Sequence, residues 1–212
     1  MLHDNPVDRQ LRKNFPGVYL TMLSIVVALA AEGLLARLDE VEALFEISGA
    51  NFLVWSQSSL VLLLAALFWW VTVRWVVSFP WRFGFSDAIG PLGMLLAFRV
   101  LVTAVGTGAG RWFGALGLIA VGGSIIYLVN ARRGISLSGV ASALSRTAFL
   151  IPTSIGVATG MAALVFGALG AGRSLSVAMQ LLGNALVAAG IVAFAVTEHR
   201  VWRRLADLVP RS

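Results

Sequence analysis

The stretch LVLLLAALFWW, residues 60–70, contains no charged side chain. It lies inside a longer apolar run, residues 52–77. A bilayer core about 30 Å thick is crossed by about 20 mostly apolar residues in an α-helix. One such run precedes it, at residues 17–38. Four follow, at residues 87–105, 112–130, 147–169 and 175–197. The pattern predicts an all-α integral membrane protein with six transmembrane helices arranged as three hairpins. Residues 17–198 form that domain, between an N-terminal tail (1–16) and a basic C-terminal tail (199–212).

Composition agrees. Of 212 residues, 58% are hydrophobic and 12% charged, and the mean hydropathy is +0.88. A soluble domain carries about 25% charged residues.

Arginine and lysine set the expected orientation, because they are enriched in cytoplasmic loops. With both termini inside, twelve of the sixteen basic residues fall on the cytoplasmic side. Only Arg37, Arg111 and Arg173 fall outside, and Arg99 lies within the third span. Asp39, Glu40, Glu42 and Glu46 gather in the first outer loop. Its sequence LDEVEALFEISG spaces Leu38, Val41, Leu44 and Phe45 as a short surface helix would; its acidic face reads first as a solvated loop, and second as a surface that concentrates cations. Tryptophans sit where interfacial belts are expected: Trp55 and Trp112 outside, and Trp69, Trp70, Trp75, Trp81 and Trp202 inside. The N-terminus also matches a secretory signal, with an Ala28-Leu29-Ala30 site, but the apolar run continues past it. The pattern fits a bacterial inner membrane. The pI of about 11.2 reflects basic flanks that meet anionic lipid head groups, and not a nucleic-acid surface.

Many chemistries lack their residues. Cysteine is absent, so thiolate metal sites and disulfides are excluded. The two histidines, His3 and His199, lie outside the predicted spans, which removes bis-histidine haem and serine–histidine proteolysis. Lys13 is the only lysine, so no buried Schiff base can form. No phosphate-binding G-x-x-x-x-G-K-[ST] motif occurs. No acidic cluster lies on the cytoplasmic side to hold a catalytic metal. The chain is expected to be neither an enzyme nor a cofactor protein.

Ionisable groups inside a membrane are functional-site candidates by default. Glu32 lies about 22 Å, and Arg99 about 18 Å, from the inner ends of their helices. Gln57, Gln180 and Asn184 lie near the outer ends of theirs. Matched depth suggests one polar layer in the outer half of the membrane, with Glu32 and Arg99 as an ion pair. The layer reads either as a solute vestibule or as a pair that fixes helix register.

A second feature is Trp81-Arg82-Phe83-Gly84-Phe85-Ser86-Asp87, where the third helix begins. Ser86 or Asp87 suits an N-cap. The alternative is a cytoplasmic gate in which Asp87 pairs with Arg82 or Arg74. The segment resembles the Arg-x-x-x-Phe-Ser-Asp motif of bacterial and lysosomal potassium channels. It is one residue shorter and on the third helix instead of the first, so none of that family's pore residues is carried over.

Glycines at four-residue spacing allow close helix approach. Gly106, Gly110 and Gly114 have that spacing, as do Gly156 and Gly160. They serve either packing within the chain or self-association. The expected function is a small, homo-oligomeric channel or transporter for an ion or small solute. The alternative is a non-catalytic membrane subunit that packs against partner helices.

Overall fold

The computed structural model describes residues 6–41, 45–78, 85–138 and 148–208, with side chains over 14–41, 45–77, 90–132 and 148–204. Among these residues there are six helices: α1 (Pro6–Asp39), α2 (Gly49–Ser78), α3 (Phe85–Ala104), α4 (Ala109–Ser138), α5 (Leu150–Ala171) and α6 (Val177–Leu208). Five of the described helices are long and apolar enough to cross a membrane. In α3 the apolar portion, Gly90–Ala104, is shorter. The chain is therefore a multi-pass, all-helical membrane protein in contact with a lipid bilayer.

The helices outrun the apolar segments. α1 begins at Pro6 and α6 continues to Leu208. A helix satisfies its own backbone hydrogen bonds, so it need not stop where the membrane does. Serines start two of them: Ser48 Oγ accepts from the Asn51 N–H at 3.1 Å, and Ser176 Oγ from the Met179 N–H at 3.3 Å. The acidic loop is turn and coil at residues 40–41 and 45–48 and not a surface helix there. Residues 42–44 lie outside the described ones.

The six helices close into a ring. α1 packs against α2 and α3, α2 against α6, α6 against α5, α5 against α4, and α4 against α3. α2 also touches α3 across it. The core holds Leu60, Val61, Phe98, Leu101, Phe113 and Leu116. Trp112, expected in an interfacial belt, is also fully buried in this core. Its Nε1–H donates to Asn184 Oδ1 at 2.8 Å, so its polar edge is satisfied by protein and not by head groups.

α4 and α5 form the closest pair, and glycine is the reason. A Cβ on Gly110 would lie 2.9 Å from Ala171 Cα. One on Gly160 would lie 2.9 Å from the Val121 nitrogen, and one on Gly156 would lie 2.1 Å from Ser124 Oγ. Gly114 offers its backbone to Gly167, where an added Cβ would stand 2.8 Å from the Gly114 nitrogen. This seam is consumed within the chain. Gly106 differs: it lies in the turn between α3 and α4 at φ 71°, a conformation glycine adopts without steric penalty.

Candidate functional site at the basic end of the bundle

Two contacts fix how α2 and α6 sit together. Asn184 Nδ2 donates to Ser56 Oγ at 2.7 Å, and Arg74 donates to Glu198 at 3.2 Å. The residues meet in the same order along both helices, so α2 and α6 run side by side in one direction. Ser56 and Asn184 lie toward the end that carries the acidic loop. Arg74 and Glu198 lie toward the end where the arginine-rich part of α6 emerges.

At the acidic end, the buried polar groups are neutral and pair with neutral groups. Asn184 bridges Trp112 and Ser56. Ser56 in turn donates to the Leu53 carbonyl at 2.8 Å. Gln57 is fully buried, and its Oε1 accepts the Gly106 N–H at 2.8 Å, which ties α2 to the α3–α4 turn. Gln180, half-buried, donates to the Leu175 carbonyl at 3.0 Å at the start of its own helix. Arg37 donates to the Val105 carbonyl at 3.2 Å and pairs with Glu40.

The expected polar layer therefore divides. Asn184 bonds Ser56, and Gln57, the next residue of α2, bonds the α3–α4 turn. Glu32 and Arg99 stay outside: both side chains are exposed, and no ion pair joins them. The helical period explains Glu32. The buried stripe of α1 is Leu23, Val26, Ala30 and Leu34, which leaves Glu32 on the opposite face with exposed Ile25 and Leu29.

At the basic end, charge is buried. The Glu198 side chain has no solvent exposure. Arg74 Nη1 donates to its Oε2 at 3.2 Å, and Arg74 Nη2 meets His199 Nδ1 at 3.0 Å. The Arg74 guanidinium lies 3.8 Å from the centroid of the Trp70 ring, a cation–π contact that costs it no proton donor. Trp202, one turn along α6, also reaches the Glu198 carboxyl. An aromatic wall surrounds the pair. Trp75 meets Tyr127, Phe149 and Trp202 with ring centroids 5.7, 5.3 and 5.4 Å apart. Tyr127 and Phe194 close it at 5.2 Å. The Tyr127 hydroxyl is buried without a hydrogen-bond partner among the described residues. α2, α4 and α6 contribute to this wall, with Phe149 at the cap of α5.

Among the described residues, Arg74 pairs with Glu198. Ser86 and Asp87 fall in the first turn of α3. Their side chains, and Arg82 entirely, lie outside the described residues. Glu198 was missed because the apolar run ends at Thr197, which placed it at the last residue of the domain and outside every span. A signal was present: it is the only acidic residue between Asp87 and Asp207. Among the described residues, no three of His, Cys, Asp and Glu come together to hold a metal.

Comparison with protein-family models, curated proteins and solved structures finds no match to the chain.

Proposed function

We propose that the protein is a small channel or transporter for an ion or small solute, with both termini cytoplasmic in a bacterial inner membrane. One observation carries this reading: the Glu198 carboxylate is fully buried beside aromatic rings and pairs with Arg74, whose side chain is a quarter exposed. A buried ion pair is a poor way to stabilise a fold, since desolvation offsets most of the attraction. An ionisable group within a membrane is a functional-site candidate by default, and ion and proton pathways are among the roles such groups serve. Glu198 is then the group that takes up a proton or cation. Arg74 holds it in place, and displacement of Arg74 frees it. The chain is expected to work as a homo-oligomer.

A second reading is supported by Glu32 and Arg99, which are exposed on the neighbouring helices α1 and α3. Charge facing lipid is costly, so a partner helix that covers this face would make the chain a non-catalytic membrane subunit.

Ion and proton flux into proteoliposomes tests the choice. Gradient-driven flux is expected in the wild type and in Glu32→Gln, and its loss in Glu198→Gln. Absence of flux under every gradient, from a folded protein, favours the subunit reading.

A further inference from the structure

We infer that the groove between α2 and α6 is a binding site for one anionic diacyl phospholipid of the surrounding bilayer. The inference needs the chain's membrane placement and is independent of the transport reading.

The groove measures about 590 Å³ and opens to the side of the bundle. Its walls are Leu63 and Leu67 from α2, and Val192 and Val196 from α6. Ala66 and Ala195 keep it open, because their side chains end at Cβ. From Ile191 to His199 the apolar trough runs about 12 Å along α6, at 1.5 Å per residue. It then ends in cation. His199, Arg200 and Arg203 line that end. Arg200 and Arg203 are exposed, three residues apart on one helix face. Neither has an ion-pair partner among the described residues. Trp70 stands at the junction, its ring stacked 6.3 Å from that of His199, at the level an interfacial tryptophan favours.

The order of chemistry identifies the occupant. An apolar trough leads to two exposed guanidinium groups that have no ion-pair partner among the described residues, and a phospholipid presents an acyl chain and then a phosphate in that order. Basic pockets between transmembrane helices recognise anionic head groups by this charge match.

The test is native mass spectrometry of the whole chain in detergent, titrated with dioleoyl phosphatidylglycerol or dioleoyl phosphatidylcholine. One phosphatidylglycerol per chain is expected, held about thirtyfold more tightly than phosphatidylcholine, on the scale of two basic residues at an anionic surface. Arg200→Gln/Arg203→Gln abolishes the preference, and these exposed positions leave the fold intact. Ala195→Trp fills the trough and weakens both lipids. Millimolar inorganic phosphate leaves the bound lipid in place. Equal retention of the two lipids by the wild type overturns the inference, as does an unchanged preference in the double variant or displacement by free phosphate.

Discussion

The two ends of the α2–α6 contact solve the same problem with different chemistry. Near the acidic end, Ser56, Gln57, Trp112 and Asn184 are polar but neutral: Asn184 bonds Trp112 and Ser56, and Gln57 bonds the Gly106 N–H, at 2.7–2.8 Å. Near the basic end, Arg74 and Glu198 are charged and lie among aromatic rings. A neutral amide needs only a partner of the right shape, and once paired it is inert. A buried carboxylate needs a counter-charge, and its state changes when that counter-charge moves or a proton arrives. The first end holds helices in register. The second can respond.

That difference is open to measurement. The largest expected effect follows removal of one partner of the charged pair. Arg74→Met leaves Glu198 buried without compensation, which costs about 3–5 kcal/mol. Reversible unfolding in mixed micelles reads it, and Arg74→Met/Glu198→Gln should recover most of the loss. If the double variant is as unstable as the single, the pair matters for packing alone and the contrast between the ends fails.

A smaller effect is expected at the neutral end. Asn184→Leu removes the acceptor of Trp112 and the donor to Ser56. Side-chain hydrogen bonds between membrane helices average about 0.6 kcal/mol and reach about 1.7. The same unfolding measurement should therefore show a loss of about 1 kcal/mol. A loss as large as that of Arg74→Met would mean the network carries more of the fold than its neutral chemistry implies.

The smallest effect belongs to Glu32→Gln, which alters an exposed side chain outside both clusters. Surface changes away from packed features stay within about 0.5 kcal/mol. A larger destabilisation in reconstituted, oligomeric protein would place Glu32 in an interface and strengthen the subunit reading.

Much of the fold was readable from hydropathy, because a membrane span must be both long and apolar. The six helices follow the six apolar runs, and Gly110, Gly156 and Gly160 lie in the α4–α5 seam that their spacing suggested. The site was harder to read. Depth along a helix follows from counting residues, and that count grouped Glu32, Gln57, Arg99 and Asn184. Azimuth does not follow from depth: it depends on which neighbours a helix meets, and those neighbours were unknown. Glu32 shares the depth of the polar layer but faces away from it. Glu198 was hidden for the opposite reason, since it lies one residue beyond an apolar run while its helix continues another ten residues to Leu208. Hydropathy marks where a span ends, and it is silent on a carboxylate that the neighbouring helices bury just beyond that end.

The most direct comparison is gradient-driven flux in proteoliposomes containing Glu198→Gln or Asn184→Leu, each first shown to be folded. Flux lost in Glu198→Gln and kept in Asn184→Leu is the predicted result. Flux kept in Glu198→Gln and lost in Asn184→Leu would contradict it, and would move the pathway to the neutral end.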